Sequence, residues 1–174
     1  AEQATLKAKE LLNSSDRLPL AKVHNLLGII SGERGELSEA LEHVLEAHSL
    51  FRQVGDKHEA ANSLGNAALI YTYLGDYDSA LEFHLKTLAL HEAIPNPDGV
   101  ARTLSGLGIA YYEMGDYAEA LNYLLRSLAL DATRADPNSH ALVLMNIGRA
   151  YTATDELERA LSFTQKGIEK LRDL

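Results

Sequence analysis

One block of about twenty residues occurs four times in this chain, each time 40 residues further along. It begins at Ala21, Ala61, Ala101 and Ala141, and it closes each time with an Ala-Leu pair. The positions that recur inside the block are Gly28, Ala68, Gly108 and Gly148; Ser31, Tyr71, Tyr111 and Tyr151; Gly35, Gly75, Gly115 and Asp155; and Leu37, Tyr77, Tyr117 and Leu157. Internal repeats with a period of about 20–50 residues are typical of stacked, solenoid-like architectures. The chain is therefore predicted to stack four similar units.

Each repeat carries the signals of two helices. An Asp or Asn precedes each apolar-periodic run, and such a side chain accepts a hydrogen bond from a free N–H group of the first helical turn. These predicted N-caps are Asp16, Asp56, Asn96 and Asp136. A first helix is predicted from the cap to the turn residue, and a second from the aromatic residue onward, as from Tyr77 to Ala93. Because leucines recur at i, i+4 and i+7 and no alternating strand pattern occurs, the prediction is all-α.

The small and aromatic residues of the repeat predict how the helices pack. Gly108 and Ala120 are expected where two helix backbones approach closely, since a larger side chain would push them apart. The repeated tyrosines are expected in the core, filling gaps between hairpins, whereas Tyr73 and Tyr112 depart from that period.

Charge and composition exclude several classes of protein. The net charge of the 174-residue chain is -9, which disfavours nucleic-acid phosphates and anionic membrane surfaces as partners. There is no cysteine, so disulfides and thiol chemistry are excluded. No stretch of about 18 apolar residues predicts a membrane span, and no apolar signal segment is visible at the start. A cytoplasmic location is expected.

No pattern predicts a catalytic or metal site. His43 and His48 are five residues apart and His84 and His91 seven apart, whereas two ligands on one helix need a spacing of about four. Histidines on helix surfaces or between helices are expected instead. There is no nucleophile-elbow or phosphate-loop motif, because the glycines occupy hairpin turns and helix crossings. We expect no enzyme activity and no cofactor.

The repeated pattern small-x-x-Tyr-x-x-x-Gly-x-Tyr-x-x-Ala resembles the tetratricopeptide repeat. The common form has about 34 residues, and the 40-residue form is similar to the repeats of kinesin light chain, Pins-type adaptors and bacterial signalling regulators. The resemblance implies one domain over residues 1–174, a right-handed superhelical α-solenoid whose concave face is lined by the first helices. The predicted parts are a partial-repeat helix at 1–15 and repeats at 16–55, 56–95, 96–135 and 136–174.

The resemblance also implies a groove for an extended peptide or a partner helix. Family geometry places in it Lys22, Asn25, Ile29, Asn62, Asn66, Leu69, Tyr73, Arg102, Ser105, Ile109, Asn146 and Arg149, with Glu33 and Glu113 on the same rows. In the family, an Asn at the position shared by Asn66 and Asn146 often pairs with the backbone of a bound peptide. Lys22, Arg102 and Arg149 are suited to partner carboxylates. The alternative is that these are ordinary solvated residues of an exposed helix face.

The terminal repeats depart from the pattern and leave a second hypothesis open. Ser31 replaces the aromatic residue, Asp155 replaces the turn glycine, and Gly167 lies inside a predicted helix. Both ends look cut, so we expect either a longer natural protein or ends buried in an oligomer. The first hypothesis is a protein- or peptide-binding scaffold, a regulatory module of a larger signalling protein. The second is an assembly module, such as a homodimer through terminal residues including Ile168 and Leu171.

Overall fold

The computed structural model describes residues 17–131 and 137–172, and these residues are helical apart from short turns. The helices are α1 (Arg17–Glu33), α2 (Leu37–Gln53), α3 (Lys57–Leu74), α4 (Tyr77–Ala93), α5 (Pro97–Glu113), α6 (Tyr117–Asp131), α7 (Pro137–Ala153) and α8 (Leu157–Arg172). No strand occurs within the two described ranges, so the all-α prediction is confirmed. The predicted helix at 1–15 and the predicted caps Asp16 and Asp136 lie outside the described residues.

The helices pack in sequence order, as a helical solenoid requires. The chain divides into two compact units, Ala1–Ile94 and Pro95–Leu174. In the first unit, α1 packs on α2, α2 on α3 and α3 on α4. In the second unit, α5 packs on α6, α6 on α7 and α7 on α8. Each unit therefore holds two hairpins, α1/α2 with α3/α4 and α5/α6 with α7/α8, and each hairpin has a first and a second helix.

Side-chain caps begin several of these helices. The Asp56 and Asn96 side chains accept the backbone N–H of the residue three positions later, at 3.0 and 3.1 Å, so both predicted caps are confirmed. Asp76 and Asp116 cap the second helices α4 and α6 in the same way, each at 3.2 Å. The sequence analysis did not identify these two caps, although they also lie 40 residues apart.

A residue with left-handed backbone geometry joins the two helices of each hairpin. Gly35, Gly75 and Gly115 have φ angles of 77°, 77° and 84°, a region that glycine occupies without a steric penalty. In the last hairpin Asp155 has a φ of 62°, and it is the only non-glycine residue with positive φ in the described ranges. The turn is thus conserved in shape across the four hairpins even where the glycine is lost.

Inside the hairpins the two backbones approach closely, as predicted for Gly108. A Cβ atom on Gly108 would lie 2.5 Å from the Leu124 Cγ atom and 3.1 Å from a backbone oxygen of α6. The equivalent contacts are Gly28 with Val44 at 2.6 Å and Gly148 with Thr164 at 2.5 Å. The α3/α4 hairpin differs, because Ala68 and His84 occupy these two positions of the repeat.

His84 is a buried imidazole without polar partners. It is 3% exposed, and neither ring nitrogen has a hydrogen-bond partner in the structure. Burial lowers its pKa from 6.5 to about 4, because the charged form loses its hydration. His84 is therefore neutral in the folded protein near pH 7.

The repeated tyrosines each pair with an aromatic side chain of their own hairpin. The ring centroids are 5.0 Å apart for Tyr71–Phe83, 5.4 Å for Tyr111–Tyr123 and 5.6 Å for Tyr151–Phe163. These pairs lie within hairpins, whereas the sequence analysis expected the tyrosines to fill gaps between hairpins. The reason is the repeat register, which places each partner on the facing turn of the second helix.

The first hairpin replaces this aromatic pair with two histidines. Ser31 occupies the tyrosine position, and His43 contacts His24 instead, with their Nδ1 atoms 3.2 Å apart. His48 lies against α3, where its Nδ1 is 2.8 Å from the Ala60 carbonyl oxygen. These histidines therefore pack between helices, as expected.

Candidate functional site

The first helix of each hairpin has one side that its neighbours leave uncovered. In α3 the uncovered residues are Asn62, Asn66, Leu69 and Tyr73, which are spaced at i, i+4, i+7 and i+11 and so share one face. The other faces of α3 hold the buried residues Ala60, Ala61, Ser63, Leu64, Ala67, Ala68, Ile70 and Thr72. The predicted groove residues of α1, α5 and α7 follow the same spacing. We refer to these four uncovered faces as the first-helix stripes.

The α1 stripe presents charge and apolar surface. Lys22 is exposed, and Ile29 is 45% exposed. Leu26 is 46% exposed and occupies the repeat position of Asn66, although the sequence analysis did not select it. Asn25 is half-buried, and its Oδ1 atom is enclosed without a hydrogen-bond partner. That oxygen is therefore not accessible to a bound peptide in this conformation.

The α3 stripe joins two amides to an apolar side chain and a large aromatic one. Tyr73 is 62% exposed, the largest exposed fraction among the exposed large hydrophobic side chains of the described residues. Leu69, Asn62 and Asn66 are each half-buried. The first unit thus combines amides with exposed apolar area from Leu26, Ile29 and Tyr73.

The second unit places a fixed arginine on the α7 stripe. The Arg149 guanidinium carbon lies 4.5 Å from the centroid of the Tyr112 ring, within cation–π distance. One of its nitrogens is 3.5 Å from the Glu113 Oε1 atom, and another donates to the Asn146 Oδ1 at 3.4 Å. The Arg149 side chain is nevertheless 53% exposed. Residues of α5 and α7 therefore orient a cation that remains accessible.

The remaining stripe residues of the second unit are polar or apolar in about equal number. Arg102 is exposed, whereas Ser105 and Ile109 are half-buried. Leu142 is 58% exposed and occupies the repeat position of Lys22 and Asn62. The repeat register points to Leu142 and Leu26, but apolar side chains were not sought on a face assumed to be polar. Tyr112 was noted only as a departure from the period.

Other kinds of site were sought in the described residues. No group of three or more His, Asp or Glu side chains there is arranged to hold a metal ion. None of the helices of residues 17–131 and 137–172 has the length and apolarity needed to cross a bilayer. A shallow cleft of about 390 Å³ occurs in the second unit, lined by Leu128, His140, Leu144, Phe163, Lys166, Glu169 and Lys170. It shares no residue with the first-helix stripes.

Known proteins give the same family assignment. The sequence matches the tetratricopeptide repeat family over three overlapping stretches, residues 19–93, 60–133 and 99–173. A search of curated protein sequences finds no significant match. The match extends over nearly the whole described chain, so the resemblance inferred from the repeated pattern is confirmed.

Solved structures support the fold. A plasmid pLS20 Rap conjugation gene regulator, in complex with the Phr* peptide, is 18% identical with a TM-score of 0.88, covering 99% of this chain and 47% of that one. Aspartyl phosphate phosphatase F from Bacillus subtilis is 16% identical with a TM-score of 0.85, covering 99% and 44%. A Podosopora anserina chain of the kinesin light chain type, with nearly identical TPR-like repeats, is 18% identical with a TM-score of 0.69, covering 97% and 82%.

The extent of these matches limits what they establish. This chain spans less than half the length of the Rap regulator and of phosphatase F. At such identities the likeness establishes the fold alone. The repeated sequence, the consecutive helical hairpins and the family match agree, and the chain belongs to the tetratricopeptide repeat family.

Proposed function

We propose that this protein is a scaffold that binds a peptide segment or a helix of a partner protein along the first-helix stripes. The tetratricopeptide repeat is generally a protein-interaction fold, which supports the proposal. Further support comes from the similar Rap regulator, which was solved with a bound peptide. The physical mode is recognition by a preformed surface, which requires little rearrangement of the scaffold.

One observation carries this proposal, namely that large apolar side chains stand exposed beside asparagine amides on these stripes. In the first unit, Tyr73 is 62% exposed on the helix that also carries Asn66. In the second unit, Leu142 is 58% exposed one helical turn before Asn146. An amide offers both a donor and an acceptor, which suits a peptide backbone, and the apolar side chains gain by being covered. Structural packing uses neither feature.

The charges on the stripes indicate acidic groups in the partner. Arg149 is held in place by the Tyr112 ring, and its contact with Glu113 is a long one between two exposed groups. Exposed ion pairs are worth only about 0–1 kcal/mol, so a partner carboxylate that contacts Arg149 with better geometry can replace Glu113. Lys22 and Arg102 add exposed cations to a chain whose net charge is -9.

The wider biological role is part of the same proposal. We place the chain as a regulatory module of a signalling protein, in the cytoplasm and without catalytic activity of its own. The activity that gives phosphatase F its name is a property of that protein and is not assigned to this chain.

The proposal is tested with peptides of defined sequence. A display library of random 12-residue peptides is selected on the full chain, and dissociation constants of the enriched peptides are measured by fluorescence anisotropy. The variant Asn66→Ala with Asn146→Ala should bind at least about fivefold more weakly, because each lost amide contact costs about 1 kcal/mol or more. The enriched peptides should carry Asp or Glu beside an apolar residue.

A matched substitution controls for surface effects. Asn122 is an exposed asparagine on α6, a second helix, so Asn122→Ala should leave the affinity unchanged. Circular dichroism and melting temperature should be the same for all variants. Unaltered affinity in the Asn66/Asn146 double variant, or equal weakening by Asn122→Ala, would show that the stripes are not the binding surface.

A further inference from the structure

The helix α8 exposes a row of large apolar side chains that no described element covers. Leu157 and Leu161 are each 60% exposed, and Ile168 and Leu171 are each 42% exposed. Their spacing of i, i+4, i+11 and i+14 places them along one side of the helix. A continuous apolar row of this length, on a helix that is otherwise charged, is an uncovered packing surface.

The repeat register shows what covers the same side of a second helix in the first unit. Leu37 and Leu41 of α2 are the counterparts of Leu157 and Leu161, 120 residues earlier. Both are partly buried and pack against a cluster that includes Ala67 and Ile70 of α3. The covering element is thus the first helix of the following hairpin.

The second unit repeats this arrangement independently. Leu121 of α6 is also a counterpart of Leu161, and it is partly buried. It packs against a cluster that contains Val143, Ile147 and Ala150 of α7, which is again the first helix of the following hairpin. Small or β-branched side chains at i, i+4 and i+7 of the covering helix fit against the leucines in both units, with Ser63 beginning the row in α3.

We propose that the apolar row of α8 is the docking face for the first helix of a further tetratricopeptide hairpin. The occupant is an amphipathic helix that presents small or β-branched residues at i, i+4 and i+7, as α3 and α7 do. This surface is separate from the first-helix stripes, so the inference does not depend on the proposed peptide binding. It assigns α8 an assembly role that extends the helical stack.

The test supplies such a hairpin in register. A copy of residues 54–94 is joined after residue 173, so that the added first helix follows α8 with the same spacing as α3 follows α2. Hydrogen exchange measured by mass spectrometry should show the amides of α8 exchanging at least about tenfold more slowly in the extended protein. The melting temperature should rise as the stack lengthens.

Substitutions on α8 provide the control. Leu161→Glu with Ile168→Glu should leave the circular dichroism of the original chain unchanged, since both side chains are exposed there. In the extended protein the same pair should abolish the slower exchange. Equal exchange with and without the added hairpin, or slowing that survives the two glutamates, would overturn the proposal. So would a dimer of the original chain in sedimentation equilibrium that the two glutamates dissolve, because a second copy would then be the occupant.

Discussion

His84 should make the stability of the first unit depend on pH. It is 3% exposed, both ring nitrogens lack partners, and burial lowers its pKa from 6.5 to about 4. The unfolded chain therefore binds a proton more readily than the folded one. Stability is complete above about pH 6.5 and is lost as the pH falls toward 4.

The size of the effect follows from the two pKa values. A difference of about 2.5 units corresponds to about 3 kcal/mol when the loss is complete, and to about 2 kcal/mol between pH 7.5 and pH 5. His84→Val places at this position the residue that the first hairpin has at Val44. At pH 7.5 the variant should lie within about 2 kcal/mol of the original protein, because losing two unpaired nitrogens offsets the lost volume.

Urea unfolding at pH 5.0, 6.0 and 7.5, followed by circular dichroism and tyrosine fluorescence, measures this difference. The original protein should lose about 2 kcal/mol more than His84→Val between pH 7.5 and pH 5. His58 is exposed on α3, so His58→Gln should retain the pH dependence of the original protein. Equal losses in the original protein and His84→Val would refute the reasoning, as would a His84 pKa near 6.5 measured by NMR.

Three further predictions concern the hairpins. Gly108→Ala should lower the unfolding free energy by about 1–3 kcal/mol, because the new Cβ meets Leu124 at 2.5 Å, whereas Gly32→Ala, with its nearest contact at 3.9 Å, should raise it in urea titrations. Asp155→Gly should raise it by up to about 1 kcal/mol, since a φ of 62° strains an L-residue; a lower stability would contradict this. Asp76→Ala should remove the cap of α4 and cost about 1 kcal/mol in thermal unfolding, and an unchanged melting temperature would exclude a capping role.

The fold could be predicted from the sequence because the period repeats its own evidence. Each helix start, turn and close approach occurs several times at a fixed offset, so a local ambiguity in one copy is resolved by the others. The turn at Asp155 shows the strength of this register, since it keeps the left-handed geometry without a glycine.

The site could be predicted only in part, because the period reports position and not contacts. The register identified the faces that carry Asn66 and Arg149, but the pairing of Arg149 with Tyr112 depends on how two helices approach. The enclosed oxygen of Asn25 likewise depends on the neighbouring side chains. Exposure of Leu142 and Leu26 was missed because leucine is more often buried than exposed.

The central claim is that the first-helix stripes bind a partner, and NMR of the full chain with a selected peptide tests it most directly. Amide and side-chain signals are followed as the peptide is added. The account predicts shifts at Asn66, Tyr73, Asn146 and Arg149, with the outer side of α6 around Asn122 unaffected. Shifts confined to the second helices, or to the cleft that contains Phe163, would contradict it.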